Sequence, residues 1–349
     1  MSKKLFADLI LWSESQYSHL PWRVERSLYR TLVSEIMLQQ TTVGTVLNHF
    51  EEFLNIYPTI FTLAKSSEEE VCIAWKGLGY YRRARNLRNL AIQIVEQFSG
   101  EIPTDLNALL KLKGIGPYTA NAIVAIGADQ TGLAVDANLE RVLARFYGEE
   151  TTKGVKLQQK LLKDFDNKKI VAEIELLGPR KLNEAMMDLG RIICQARKAA
   201  CTLCPLKNEC IAYKTSRTLL LPIETEKKVT MDLFIKTIRV VVREKNKLLF
   251  YQKKENEWLA GQWELPTFII ETNDKKLKQY PQIKPRKAFE TAPRFKTGIT
   301  KYKIENLVVE MPLVDFEKLV KEIDIDYQFK LPTSKLNVST ASSKALAFV

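Results

Sequence analysis

Histidine is almost absent from this 349-residue sequence: there are two, and the one nearest the cysteine-rich stretch is His49. A zinc finger of mixed cysteine and histidine ligands is thereby excluded. Long apolar runs are also lacking, since none approaches the roughly 18 residues that a membrane-spanning helix needs. Met1-Ser2-Lys3-Lys4 leads straight into an amphipathic pattern of Leu5, Phe6, Leu9, Ile10 and Trp12, not into a signal peptide. A reducing cytosolic compartment is the expected location. No internal repeat or low-complexity tract is present, and nothing points to a solenoid or a disordered tail.

Cysteine is scarce as well, five in all, but four of them are crowded together. Cys194, Cys201, Cys204 and Cys210 follow a C-x6-C-x2-C-x5-C spacing. Two disulfides would suit a secreted chain, yet Cys72 is left over and no leader is seen. Four thiolates so close in sequence can converge on one metal centre, and soft sulfur ligands suit zinc or an iron–sulfur cluster alike. The formal net charge of +12 favours a polyanionic partner. With 46% hydrophobic residues the chain is long enough for two or three cored domains.

Residues 1–214 read as helical. Leu87, Leu90, Ile94 and Val95 recur at helical spacing, as do Leu139, Val142, Leu143 and Phe146. Residues 215–231 are polar and read as a linker. From Asp232 the pattern turns to period two: Ile235–Val242 is expected as a strand, Lys245-Asn246-Lys247 as a turn, and Leu248–Tyr251 as the paired strand. Ile304–Met311 is a further strand and Asp315–Ile323 a helix, which makes 232–349 an α+β domain.

Three features could carry chemistry. Leu112-Lys113-Gly114-Ile115-Gly116-Pro117-Tyr118 is a Gly-x-Gly turn feeding a helix, which lets backbone N–H groups approach a phosphate; a plain helix–helix turn would look the same. Asp136 directly precedes a periodic helix and reads first as an N-cap, whose donors and dipole should keep it ionised. Glu35 is the only acid in an otherwise apolar helical stretch. On a wet face it would do nothing, whereas facing a pocket it would be held protonated by desolvation. One protonated and one ionised acid is the pairing that glycosidic cleavage needs.

Taken together, the Leu112–Ala120 hairpin, Val135-Asp136 and the cysteine spacing resemble the helix-hairpin-helix DNA glycosylases that carry a [4Fe–4S] cluster. Leu20-Pro21-Trp22-Arg23, Ser34–Thr41, Gly77-Leu78-Gly79-Tyr80-Tyr81 with Ala84–Leu87, and Asn183–Gly190 are similar to the adenine DNA glycosylase (MutY) branch. That resemblance implies an all-α glycosylase region over 1–214, with a six-helix barrel at about 22–130 and a cluster-bearing subdomain from 1–21 plus 131–214. A Nudix-like lesion-recognition domain would follow over 232–349, where Gly261-Gln262-Trp263-Glu264-Leu265-Pro266 is the clearest match and the metal-binding glutamate helix of a Nudix hydrolase is missing. It further implies a monomer at the bacterial nucleoid, acting without a membrane on double-stranded DNA that contains A·8-oxoguanine or A·G mispairs.

Residue by residue, the resemblance makes Glu35 the acid that protonates adenine and Asp136 the stabiliser of the sugar cation. Tyr118 and Asn138 support Asp136 and the sugar–phosphate. Leu20, Trp22, Arg23, Gln40 and Glu184 would line the adenine pocket. Gln39, Tyr80, Gly114 and Gly116 would touch DNA, and Cys194, Cys201, Cys204 and Cys210 would hold the cluster. Relatives that cut the strand carry lysine where this chain has Tyr118, and a phenol cannot form their Schiff base. The family's Phe-Ser-His loop for 8-oxoguanine corresponds to Gly298–Lys303, where Thr300 keeps a hydroxyl but the aromatic and the imidazole are gone.

Overall fold

The computed structural model describes residues 2–166, 171–224, 233–332 and 336–349. They divide into two compact units, Met1–Glu226 and Lys227–Val349. The first is helical, and its helices start where short polar side chains can take up orphan N–H groups. Ser27 accepts from Arg30 N, Asp105 from Ala108 N, and Ser67 closes a capping box with Glu70. Its apolar residues form two large cores. One runs from Leu20 to Val124 around Phe50, Phe53 and Trp75. The other joins Phe6, Leu9 and Ile10 of the Ser2–Tyr17 helix to residues between Leu133 and Leu206. The first helix thus packs across the chain on the Pro179–Ile192 helix, not on its sequence neighbours.

Of the stretch expected as a linker, 215–231, the first part is packed against the helical unit. Residues 215–224 belong to the first unit: Leu221 is buried, Arg145 Nε donates to its carbonyl at 2.8 Å, and Lys153 N donates to Ile223 O at 2.9 Å. Exposed polar composition concealed these backbone contacts. The remainder, 225–231, lies outside the described residues.

In the second unit, β1 (Leu233–Val241), β2 (Arg243–Glu244), β3 (Lys247–Gln252), β4 (Trp263–Glu264), β5 (Thr267–Thr272), β6 (Arg294–Ile299), β7 (Tyr302–Glu310) and β8 (Tyr327–Lys330) form two sheets. One has the order β5-β1-β7-β6; the other is β2-β3-β4, with β8 also paired to β3. The Leu313–Val320 helix packs Phe316 into a core with Ile238, Phe268 and Leu307. Most predicted elements are present, but the expected pairing of the first two strands holds only at the turn, where Leu249 N donates to Val242 O at 3.0 Å. β1 lies between β5 and parallel β7, while β3 turns back on β2 alone and then joins the other sheet. Local alternation identifies a strand, whereas its partners here lie 28 to 69 positions away.

Within the first unit, the Ala137–Tyr147 and Pro179–Ile192 helices meet at Gly190. A Cβ there would stand 2.6 Å from Asn138 Cβ and 3.0 Å from Asn138 O. Gly190→Ala is expected to destabilise the protein by about 1–3 kcal/mol, as overfilled contacts do. The urea midpoint should fall at unchanged m-value; an unmoved midpoint would mean that the helices can part freely.

Candidate active site

A cavity of about 1020 Å³ opens where elements of the two helical cores meet. The Leu28–Leu38 helix supplies one wall. Its Leu32, Val33, Ile36 and Met37 are buried in the first core, and Glu35 is only 6% exposed although it lines the cavity. Glu35 therefore faces a pocket, not bulk water. Burial pushes its carboxyl up to about 7; Asp136 and Glu184 push the same way, against a hydrogen bond from Tyr118 and the charge of Arg23. The Tyr118 hydroxyl donates a short hydrogen bond to Glu35 Oε2. That phenol is itself raised well above its ordinary range by burial and by the neighbouring acids, so it remains a donor.

Asp136 approaches from the second core as the N-cap of the Ala137–Tyr147 helix. Its Oδ1 accepts from Asn138 N at 2.9 Å and Leu139 N at 2.7 Å, and its Oδ2 accepts from Asn138 Nδ2 at 2.8 Å. The cap is as expected, and burial acts against its electrostatic effect. Burial outweighs those three donors, and the Asp136 pKa moves up from its ordinary value. Arg141 fixes the Asn138 amide by donating Nη2 to Asn138 Oδ1 at 2.9 Å, and its Nε donates to Cys194 O at 2.7 Å.

Leu20, Trp22 and Arg23 line the cavity near the N-terminus of the first core, and Gln39, Gln40 and Glu184 complete the set expected there. Glu184 belongs to a charged lattice that sequence reading missed. Arg26 grips it with both Nη atoms, at 2.8 and 3.0 Å. Arg23 donates to Asp188 at 2.7 Å, closer than its 3.5 Å approach to Glu184, and Ser13 donates to Asp188 at 2.6 Å. The signal was available: Glu184 and Asp188 are four apart on one helix, and Arg23 and Arg26 are three apart.

Other expected site residues lie apart from the cavity walls. Tyr80 is 61% exposed at the end of the Gly77-Leu78-Gly79 turn, with φ +48°. Gly114 and Gly116 stand exposed between the Leu106–Lys111 and Pro117–Ala122 helices, and Gly114 needs its φ of +98°. Gln93 clamps this turn, accepting from Lys113 N at 3.0 Å. In the second unit Thr300 is exposed in the two-residue turn between β6 and β7, its hydroxyl donating to Ile299 O at 2.7 Å.

Cys194, Cys201, Cys204 and Cys210 line a cavity of their own, all as free thiols. Burial first, and then the other three cysteines, raise Cys204 to about 12. Four thiolates could share this space only with a positively charged centre among them. Zinc–sulfur bonds of roughly 2.3 Å would need sulfurs drawn within about 4 Å of each other, and no group of three or more ligating side chains among the described residues could hold a single metal ion. Buried Arg145 supports the site, donating to Cys194 Sγ at 3.3 Å and to Gln195 O at 2.9 Å.

Residues 33–167 match the HhH-GPD superfamily base excision DNA repair protein family. The adenine DNA glycosylase of Buchnera aphidicola subsp. Schizaphis graminum is 33% identical over 293 residues, covering 82% of this chain and 80% of that protein. Its counterpart from Buchnera aphidicola subsp. Acyrthosiphon pisum is 35% identical over 260 residues, 74% of this chain and 72% of that one. Among solved structures, a thermostable thymine-DNA glycosylase superposes with a TM-score of 0.52 at 27% identity, over 61% of this chain and 97% of its own. The thymine enzyme leaves much of the present chain unmatched, whereas the first relative aligns over most of both sequences. By that extent and identity, the chain belongs to the adenine DNA glycosylase family.

Proposed function

We propose that this chain is a monofunctional DNA glycosylase that removes adenine mispaired with 8-oxoguanine or guanine in base excision repair. The observation that carries the reading is Glu35: a buried carboxyl with a pKa of about 7, in a cavity shared with Asp136. A purine is a poor leaving group as an anion, and protonation of its ring lets it depart neutral. Glu35 gives the proton from its neutral form. Asp136, held by Asn138 and the Leu139 amide, faces the cation that develops on deoxyribose as the N-glycosidic bond breaks. Water then supplies hydroxide to the sugar, and the released proton returns to Glu35. The adenine must leave the helix to reach this cavity, so the duplex is opened and the base flipped.

Four cysteines around one cavity, with Arg145 among them, suit a [4Fe–4S] cluster, which when bound would cross-link the fold and take no part in base removal. The second unit would read the base opposite adenine, with Thr300 at its β6–β7 turn. A cytoplasmic, nucleoid-associated monomer accords with this role. No described helix is long and apolar enough to cross a membrane.

Glu35→Gln is expected to slow single-turnover adenine release at least about 10³-fold, at the upper part of the general-acid range, with duplex affinity kept within about threefold. For the wild type, the rate should fall about tenfold per pH unit above pH 7, as the carboxyl whose pKa is about 7 loses its proton. The same variant should be more stable than the wild type. A carboxyl raised from 4.5 to about 7 destabilises the fold as pH rises between those values, and the cost approaches about 3 kcal/mol above pH 7. Normal turnover in Glu35→Gln would remove the acid assignment.

Tyr118 has no amine to attack the sugar. Borohydride treatment during turnover should trap less than about a hundredth of the enzyme on DNA, and efficient trapping would show a lyase. A chain ending at residue 231 should still release adenine from A·G, while its rate advantage on A·8-oxoguanine shrinks; an undiminished advantage would take lesion reading away from the second unit.

A further inference from the structure

We infer that Arg83 is a positioning residue that ties two separate turns of the first unit, Gln39–Thr41 and Leu78–Tyr80, to the helix carrying Glu35, so that they move as one body. The inference rests on the proposed duplex-opening activity and adds a device to it. Arg83 is 8% exposed and ends in a knot of oxygen acceptors. Its Nη1 donates to Ile36 O at 2.9 Å, Met37 O at 2.7 Å and Gln39 O. Its Nη2 donates to Thr41 Oγ1 at 2.8 Å, Leu78 O at 2.9 Å and Gly79 O at 3.2 Å. Ile36 and Met37 lie in the last turn of the Leu28–Leu38 helix, whose orphan carbonyls favour a cation. One guanidinium therefore closes the Glu35 helix and both turns.

Each turn presents an exposed side chain from a strained backbone. Gln40 has φ +56° and Tyr80 φ +48°, left-handed conformations that non-glycine residues adopt only at a cost. Strain persists only where the surroundings over-determine it, and here they do. The guanidinium lies 5.6 Å from the Trp75 ring and 5.5 Å from the Tyr80 ring, and Trp75 Nε1 donates to Gly79 O at 3.1 Å. No ion pair to Arg83 is found among the described residues, so its charge is met by carbonyl dipoles and ring faces. Lysine could supply the charge but not a planar fork that reaches both turns at once. Two exposed side chains held at a fixed separation can press into a duplex without folding back. On separate, mobile turns they would yield instead.

The test loosens the knot from one side and reads the other. Thr41→Val removes an Arg83 acceptor, and with it the same hydroxyl's 3.4 Å donations to Gln39 O and Leu78 O, with little change in shape. Arg83→Lys removes the fork and leaves those donations in place. Amide hydrogen exchange in the free protein should rise at least threefold across residues 78–83 in Thr41→Val, although the substitution lies in the other turn. Exchange at the Leu112–Ala120 hairpin should be unchanged. In single-turnover assays, both variants should lose about tenfold or more on adenine paired in a duplex, but less than threefold on adenine opposite an abasic gap, where little opening is needed. Exchange changes confined to residues 39–42, or equal losses on both substrates, would overturn the coupling. If Arg83→Lys does not fold, Thr41→Val alone decides. If the wild type released no adenine, the functional reading would fail while the exchange experiment still judged Arg83.

Discussion

Water is kept from one carboxyl group, and much of the first unit answers that exclusion. Glu35 shares a helix with Leu32, Val33, Ile36 and Met37, all buried in the same core, so it cannot turn outward without exposing them. Desolvation makes the neutral acid the favoured form, and Tyr118 supplies the one hydrogen bond that partly offsets it. The neighbouring carboxylates work in the same direction, since three largely buried acids around one cavity cannot all be charged cheaply. Arg23 and Arg26 draw Glu184 and Asp188 into ion pairs on the opposite wall. Glu35 is left as the group free to exchange a proton.

The two acids come from different cores, and their meeting depends on how those cores are held. Arginine does much of the holding, and it does so through carbonyl groups. Arg83, Arg141 and Arg145 each gather backbone oxygens from segments far apart in the chain, where a planar fork of donors satisfies several orphan acceptors at once. Arg141 reaches from Asn138 to the Cys194 carbonyl. The acid's cap and the first cysteine loop thus share a single side chain.

What could be read from the sequence was mostly local. The cysteine spacing, the N-cap at Asp136 and the Gly114 turn each lie within a short window, and each has a backbone reason. Glu35 was ambiguous because its environment is set by Tyr118, 83 positions away. The upward shift at Asp136 was hidden for a similar reason: the donors are neighbours in sequence, but the burying surface is not. Arg83 stands four residues before Leu87, on the helix face of Leu87 and Leu90, yet its acceptors come from residues 36–41 and 78–79. Only the fold brings those acceptors to it. The pairing of β1 with β5 and β7 was out of reach of alternation alone, because hairpin proximity suggested β3.

Every residue that lines the acid cavity belongs to the first unit. On the proposed assignment, the groups that break the bond are all encoded within this one folding unit. Such a chain can drift in its second half at little catalytic risk. On the proposed reading, altered turns there, such as the one carrying Thr300, would re-tune which mispairs are recognised while leaving the described walls of the acid cavity as they are. Selection can act on choice and on chemistry as two nearly independent traits.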